Sequence, residues 1–326
     1  MNTPLPRRGL LLAAAAAPVL PGRLATAQPA WPAQPIRMIV PFAAGVTDSI
    51  GRLVGTEMQR ALGQPIVVEN RPGAGGAIGA EACARAPADG HTICMGTIST
   101  HAINPAIMPR IPYDNLRDFA PVTQLTEQPN AIVVHPAFPA RDLAGFVVAV
   151  RQAREPHPYA TSGVGTSTHL AGALFALLAG GQLEHVPFRG SGEVMTAVIS
   201  GQVPIAFDNL SSVVPFVREG RVRLIGVGSR ARLPDFPDAP AIAEALPGFV
   251  SVSWHGLFAP AATPAPILAR LHREAVAALR QPAVAQRLAD LGVTPVGSNP
   301  EEFRAFIAAE TERWRDVARR ADLRLT

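Results

Sequence analysis

The chain has 326 residues, of which 48% are hydrophobic and 17% charged, and its formal net charge is +4. Its basic residues are all arginines and are scattered along the chain, which argues against a nucleic-acid-binding protein. The three tryptophans are too few to favour a sugar cleft lined with aromatic rings. This length is enough for one large or two ordinary domains, and the composition favours two.

The N-terminal stretch has the pattern of an export signal. Arg7 and Arg8 precede an apolar run at 9–20, and Ala25, Thr26 and Ala27 form a small-x-small cleavage pattern. We expect residues 1–27 to be a signal peptide that is removed after Ala27, which places the mature protein in the periplasm. The paired arginines resemble a twin-arginine signal, and a Sec signal is the alternative.

The first element of the mature chain is a strand followed by a helix. The apolar run 36–40 predicts a strand, and Thr47 and Asp48 offer side-chain oxygens where an amphipathic helix begins; that helix ends at Gly63. The loop between them carries little bulk, so its N–H groups and the positive helix end can approach an anion. An ordinary strand-to-helix turn is the alternative interpretation.

Two further strands follow at 66–69 and 92–95, and their spacing predicts a parallel sheet. The glycine-rich stretch between them, 70–79, is not a dinucleotide motif, because Ile78 occupies the position of the third glycine. A polar loop, 96–101, follows the third strand. Cys83 and Cys94 each have the pattern of a small buried apolar residue, and the sequence leaves open whether they pair.

The second part of the chain repeats this pattern of strand, polar loop and helix. The loop 161–169 holds five hydroxyls and two glycines, which suits a carboxylate held by uncharged donors, although helix capping would explain one of the hydroxyls. The strand 183–187 leads into the donor-rich turn 188–192. Asp208 ends another strand, where it accepts from a ligand amine or hydroxyl or caps the next helix; capping is the favoured interpretation.

The C-terminal part is predicted to be helical. Asn299 caps the last helix, and Phe303, Ile307, Trp314 and Val317 have the spacing of a packed face. Searches for nucleophile-elbow, Walker and zinc-hydrolase motifs find none in the sequence, and the histidines lack metal-ligand spacing. We therefore expect no enzyme, cofactor or metal site.

Taken together, these segments resemble the Bug-type extracytoplasmic solute receptors of tripartite tricarboxylate transporters. The matching segments occur in order and span the expected mature chain: 35–42, 47–48, 68–76, 89–90, 100–105, 118–122, 167–172, 189–192, 201–203 and 207–209. The loop 43–46 is one glycine shorter than is usual in that family, which leaves the identity of the ligand open.

The resemblance implies an α/β protein with two Rossmann-like domains and a hinge, the type II periplasmic-binding-protein architecture. Domain 1 would comprise residues 28–127 and 254–326, and domain 2 residues 128–253. The implied function is capture of a small carboxylate between the domains and delivery to membrane permease subunits. A sensor receptor for a signalling partner and a hydrolytic enzyme are the alternatives; we expect a monomer that binds no nucleic acid.

The resemblance and the strand-end pattern together give a set of expected ligand-binding residues from both domains. They are Phe42, Ala43, Ala44, Thr47, Asp48, Thr97, Thr100, Ser162, Gly163, Thr166, Ser167, His169, Arg189, Gly190, Ser191 and Asp208.

Overall fold

A computed structural model describes Met1 and residues 31–234, 236–321 and 323. The expected signal peptide, apart from Met1, and its cleavage site lie outside the described residues. The strands are β1 Ile36–Val40, β2 Ile66–Asn70, β3 Thr92–Thr97, β4 Phe119–Val134, β5 His157–Thr161, β6 Leu183–Pro187, β7 Ile205–Asn209, β8 Arg223–Val227, β9 Val252–Pro260 and β10 Thr294–Pro295. The helices are α1 Val46–Leu62, α2 Ala77–Ala84, α3 Asn104–Ile107, α4 Leu143–Gln152, α5 Ser167–Ala179, α6 Ser191–Ile199, α7 Leu210–Arg218, α8 Ala265–Leu279, α9 Pro282–Asp290 and α10 Pro300–Arg320.

The ten strands form one mixed sheet: eight lie in the order β2-β1-β3-β9-β4-β7-β5-β6, and β8 and β10 each pair with β4 beside this path. Strand β1 is parallel to β2 and β3, as the sequence predicted, and β5 is parallel to β6 and β7. We call β1–β3 the first half of the sheet and β5–β8 the second half. In each half, successive parallel strands are separated by a helix, which is the α/β arrangement expected from the sequence.

The long strand β4 connects the two halves. Its residues from Phe119 to Pro129 pair antiparallel with β9, and those from Asn130 to Val134 pair with β7 and β8. The apolar run 132–134 by itself predicts only a short strand here. This pattern misses the longer strand because Gln124, Thr126, Gln128 and Asn130 are polar and break the apolar run, although all four are buried.

Apolar side chains fill both faces of the sheet. Ile36, Met38 and Val40 of β1 pack with α1 and α8, and the second half has its own cluster between β7, α6 and α7. A third, larger cluster includes Trp314 of α10, which is fully buried, as its helical spacing predicted. Within the described residues, no helix combines the length and apolar character needed to cross a bilayer.

Cys83 and Cys94 form a disulfide, which resolves the question that the sequence left open. Cys83 lies on α2 and Cys94 on the adjacent strand β3, with their Cα atoms 6.2 Å apart. Both residues are at most 1% exposed, so the prediction that they are buried is confirmed. The bond ties α2, and with it the glycine-rich turn that precedes α2, to β3, the strand of the first half that pairs with β9.

We expect the double substitution Cys83→Ala with Cys94→Ala to lower the free energy of unfolding by about 3 kcal/mol, because the disulfide restricts the unfolded chain. Urea denaturation of oxidised and variant protein measures this difference. Alkylation of unfolded, unreduced protein followed by mass measurement is the control. Two alkylated thiols there would contradict the disulfide.

Candidate functional site

The expected site residues lie on loops at the carboxyl ends of parallel strands. Loop 41–45 follows β1, loop 162–166 follows β5, turn 188–190 follows β6, and Asp208 lies at the end of β7. In open α/β sheets the carboxyl ends of the strands are where ligands bind. We call these four segments the strand-end loops.

Helix α1 begins differently from the expectation. It starts at Val46, its N-cap residue is Gly45 in an extended conformation, and no side chain of the described residues caps it. The prediction that Thr47 or Asp48 caps this helix is therefore wrong, because both residues already lie in its first turn. The N–H groups of that turn are left without a side-chain acceptor, and Ala43, Ala44 and Gly45 are exposed in front of them.

Asp48 is held by a local network. Its Oδ2 accepts from Arg52 Nε at 2.9 Å, and Arg52 also donates to Asn70 Oδ1 at 3.3 Å. Asn70 in turn donates to the carbonyl oxygen of Phe42 at 2.9 Å, which fixes loop 41–45. Burial alone would raise the pKa of Asp48, but the hydrogen bonds from Arg52 and Asn70 and the charge of Arg52 outweigh it and lower the pKa.

Thr97 and Thr100 use their hydroxyls within their own turn. Thr100 Oγ1 accepts from Thr97 N at 2.9 Å and lies 2.8 Å from His101 Nδ1, while Thr97 Oγ1 accepts from Thr100 N at 3.4 Å. Both side chains are at most 4% exposed. They shape the turn after β3.

Loop 162–166 is built by its own hydroxyls. Thr166 is the N-cap of α5: its Oγ1 accepts from His169 N at 3.3 Å, and it donates to Gly163 O at 2.7 Å. Thr168 Oγ1 lies 2.8 Å from Thr166 Oγ1 and 3.1 Å from Ser162 Oγ. Capping thus accounts for Thr166, and the others form a hydroxyl cluster behind the loop.

Helix α6, like α1, begins without a side-chain cap from any residue that the structure describes. Its N-cap residue, Gly190, is extended, and a Cβ built there would meet no atom within 4 Å. The Arg189 side chain is exposed, and its backbone N–H donates to Glu193 Oε2 at 3.1 Å. In the first turn, Ser191 Oγ donates to Asp208 Oδ1 at 2.8 Å.

The favoured prediction that Asp208 caps a helix is wrong. Helix α7 starts after Asn209 without a side-chain cap, and Ser211 N donates instead to Gln128 Oε1 at 3.4 Å. Asp208 Oδ1 accepts from Ser191 Oγ and from Asn209 N, whereas Oδ2 is buried and has no partner among the described residues. Burial is the main cause that raises the pKa of Asp208 to about 6.

Close approaches connect loops of the two halves. A Cβ on Gly76 would lie 3.0 Å from Phe42 Cζ, and a Cβ on Gly75 would lie 3.4 Å from the carbonyl oxygen of Val164 in the second half. Gly75 has φ of +60°, so glycine suits both the conformation and the contact. A Cβ on Gly163 would lie 3.5 Å from the carbonyl oxygen of Phe188. These close approaches link loop 41–45 to the glycine-rich turn, that turn to loop 162–166, and loop 162–166 to Phe188.

The sequence reasoning missed a set of buried polar residues under the strand-end loops. Asn130 of β4 accepts from Ser251 Oγ at 2.7 Å, and its amide donates to Asn209 Oδ1 at 3.0 Å and to Ser167 Oγ at 3.4 Å. Gln128 Nε2, two residues earlier, is buried without a partner among the described residues. Uncharged polar residues at every second position from Gln124 to Asn130 were the available signal, since a period of two is typical of one strand face.

The chain matches known proteins over most of its length. A sequence profile described as "Tripartite tricarboxylate transporter family receptor" matches residues 50–323. Protein BugT of Bordetella pertussis (strain Tohama I) is 35% identical over 298 residues, which cover 90% of this chain and 91% of BugT.

Solved structures agree in sequence and in fold. A structure described as a periplasmic transporter is 40% identical with a TM-score of 0.86, covering 91% of this chain and all of its own. MatC from Rhodopseudomonas palustris, with bound malate, is 38% identical with a TM-score of 0.82 and covers 88% of this chain and 99% of its own. The α/β fold inferred from the sequence is thus confirmed.

Proposed function

Because this chain belongs to the tripartite tricarboxylate transporter receptor family, we propose that it is a periplasmic receptor that captures a small dicarboxylate and delivers it to a membrane permease. The family is one of receptors, and MatC is solved with malate, a four-carbon dicarboxylate. This chain is therefore assigned binding without turnover.

One observation supports a ligand with two carboxylates. Among the described residues, no side chain caps α1 or α6, one following a strand of each half, and both begin at glycines. Helix α2 also begins at an uncapped glycine, but Gly76 is packed against Thr100 and Phe42. The neighbouring helix α5 is capped by Thr166, so its first turn does not need a ligand carboxylate as a cap. The N–H groups of an uncapped first turn, together with the helix dipole, bind a carboxylate. A dicarboxylate bridging the two helix starts supplies both caps.

The groups proposed to hold the ligand are largely uncharged. Asp48 and Arg52 neutralise each other at α1, and Glu193 lies near the start of α6. Ligand carboxylates therefore depend on backbone N–H groups and hydroxyls, with exposed Arg189 attracting anions to the opening. The sixteen residues expected from the sequence remain the proposed site. Within it, we assign Thr97, Thr100 and His169 to shaping the loops that carry the contacts.

Asp208 is proposed to select for a hydrogen-bond donor on the ligand. Its Oδ2 is buried and has no hydrogen-bond partner in the described part of the chain, so a ligand hydroxyl or amine that donates to it would satisfy an otherwise costly oxygen. Malate carries such a hydroxyl beside its carboxylate. We therefore expect hydroxy- or amino-dicarboxylates to bind more tightly than unsubstituted ones of equal length.

The proposal includes the domain arrangement and export. Residues 28–127 with 254–326 would form one domain and 128–253 the other, hinged where β4 changes its pairing from β9 to β7. Residues 1–27 would direct export by a twin-arginine or Sec route and be removed after Ala27. The mature protein would act as a monomer with permease subunits as partners.

A panel of ligands tests the proposed function. Malate, aspartate, succinate, adipate, acetate and glucose are added to the mature protein and the melting temperature is recorded. A ligand present at 100 times its dissociation constant stabilises the fold by about 2.7 kcal/mol, a readily measured shift. The function requires that at least one dicarboxylate stabilises the protein more than acetate and glucose do; a response to glucose alone contradicts it.

The start of α6 can be tested by placing a carboxylate there. Gly190 has extended backbone and open space around it, so Gly190→Asp fits and supplies its own cap. We expect ligand affinity to fall at least tenfold, about 1.4 kcal/mol, because the new side chain takes the N–H groups and repels the ligand. Calorimetric titration with the tightest dicarboxylate of the panel measures this effect.

Two variants separate charge and capping from bulk. Gly190→Ala adds a Cβ without a cap. We expect the ligand affinity of this variant to stay within about twofold of that of the unsubstituted protein, which is a small difference in binding free energy. Gly190→Asn adds a cap without a charge and should fall between the alanine and aspartate variants. Equal affinities for all three would place the ligand away from α6.

A further inference from the structure

Two histidines stack behind loop 162–166. His169 lies in the first turn of α5 and His185 in the middle of β6, and their ring centroids are 3.9 Å apart with an angle of 14° between the rings. His185 is outside the set of residues that the sequence marked for ligand binding. The two rings pack against each other, and in addition their ring nitrogens form hydrogen bonds with loop 162–166 and with Thr161.

Each ring presents a nitrogen to one part of the loop. His169 Nδ1 accepts from the backbone N–H of Gly165 at 3.3 Å. His185 Nε2 lies 2.6 Å from Thr161 Oγ1, and that hydroxyl accepts from the N–H of Gly163 at 3.3 Å. The direction of this hydrogen bond depends on the tautomer of His185: with the ring proton on Nδ1, Nε2 accepts from the Thr161 hydroxyl, whose oxygen then accepts from Gly163 N–H. One ring thus holds the loop directly, and the other holds it through Thr161.

The loop depends on such support. Gly163 and Gly165 both have positive φ, +131° and +76°, and glycines in a loop lose much conformational freedom when they are fixed. A receptor whose loop is ordered before binding does not spend ligand affinity on ordering it. The two acceptor nitrogens fix the orientation of the two glycine N–H groups in this loop.

The rings are neutral in this environment. Burial is the main cause that lowers the pKa of His169 to about 4 and that of His185 to about 3, and each ring would repel a charge on the other. Tyr159 of β5 is the titratable group that faces the pair: its ring centroid is 5.2 Å from that of His185, and its hydroxyl donates to His169 O. Burial raises the pKa of Tyr159, so it is uncharged as well.

We propose that His169 and His185 act as positioning residues, which hold loop 162–166 in its binding conformation through two neutral acceptor nitrogens. The proposal rests on the function proposed above. His185 then contributes to the site indirectly, by holding the loop. His169 contributes through its Nδ1, which bonds to the loop backbone and not to the ligand.

Matched substitutions test the acceptors. In His185→Gln the amide oxygen takes the place of Nε2, and in His169→Asn it takes the place of Nδ1; His185→Leu and His169→Leu keep bulk but accept nothing. For the dicarboxylate of the panel that binds most tightly, we expect the leucine variants to lose affinity tenfold or more. The amide variants should keep an affinity within about threefold of that of the unsubstituted protein. Titration calorimetry provides the affinities.

The outcomes separate this proposal from the proposed function. If the unsubstituted protein binds no carboxylate, the function fails. If it binds one and the leucine variants bind as tightly, or the amide variants lose as much as the leucine variants, the positioning role is overturned.

Spectroscopy of the unsubstituted protein gives a second test that does not depend on variants folding. Imidazole nitrogen NMR at pH 7 should show two neutral rings of opposite tautomer. His169 should carry its proton on Nε2, and His185 should carry its proton on Nδ1. The reverse tautomers, or an imidazolium at either position, overturn the proposal.

Discussion

We expect acidification to destabilise the fold steeply, with the free energy of unfolding falling by about 2.5 kcal/mol per pH unit between pH 6 and 5. The cause is a set of histidines that the fold keeps neutral. Burial lowers the pKa of His101 to about 3 and the pKa values of His169 and His255 to about 4. The pKa of His185 is lowered as well, but this ring is partly exposed, so solvent screening reduces its contribution.

The sign follows from the protons bound in each state. An unfolded histidine titrates near pH 6.5, so below that pH the unfolded chain takes up protons that the native rings refuse. Their stabilising contribution is complete above pH 6.5 and is lost as the pH falls towards 4. Asp208 opposes them, since its pKa is raised to about 6 and the native state binds that proton first. With three histidines favouring protonation of the unfolded state and one carboxyl favouring protonation of the native state, the unfolded state binds about two more protons. Each of them changes the free energy of unfolding by about 1.4 kcal/mol per pH unit.

Urea denaturation at pH 7.5, 6.5, 5.5 and 5.0 measures this dependence. The fold should be most stable above pH 6.5 and lose a large part of its stability by pH 5, since domains of this kind have only about 5–15 kcal/mol in total. A denaturation midpoint that stays constant from pH 7.5 to 5.0 would mean that these rings accept protons in the native state.

Asp208→Asn should weaken binding of a hydroxy- or amino-dicarboxylate tenfold or more, while the melting temperature of the free protein stays the same or rises. The amide oxygen still accepts from Ser191 and Asn209, as Oδ1 does now. The amide nitrogen, however, takes the place of Oδ2. Its N–H groups then face the hydroxyl or amine of the ligand, which is also a donor. A hydrogen bond to a charged group contributes about 1.5–3 kcal/mol, and the free protein no longer buries an unpaired carboxylate oxygen.

Asp142→Asn is the matched control. Asp142 caps α4 by accepting from Gly145 N at 2.7 Å, outside the strand-end loops, so its substitution should leave ligand affinity unchanged. Comparing malate with succinate sharpens the experiment: Asp208→Asn should cost affinity for malate and spare succinate, which has no hydroxyl. A variant that melts earlier but binds malate normally would give Asp208 a structural role.

Local patterns in the sequence predicted much of the fold. Strands β1 and β6 were predicted within their observed bounds, and α10 begins after Asn299, whose side chain accepts from Glu302 N at 2.8 Å. Such elements depend on residues a few positions apart, and a strand or a cap is readable at that range. The order of these elements also carried the resemblance to the receptor family.

Contacts between distant residues decided the rest. The length of β4 depends on Asn130 meeting Ser251, 121 positions away, since the pairing with β9 makes a buried strand of a polar segment. The acceptor of Ser191 is Asp208 rather than a group on its own helix. The packing of α2 on β3 brings Cys83 to Cys94.

For this protein, the sequence by itself determined the α/β class, the family and the loops that carry the candidate site, because each depends on local pattern and order along the chain. The tertiary structure decided which donors remain free. Within the described residues, it left the starts of α1 and α6 without a side-chain cap and Oδ2 of Asp208 without a partner, and it stacked His185 on His169. Whether a polar group is satisfied depends on neighbours that only the folded chain supplies.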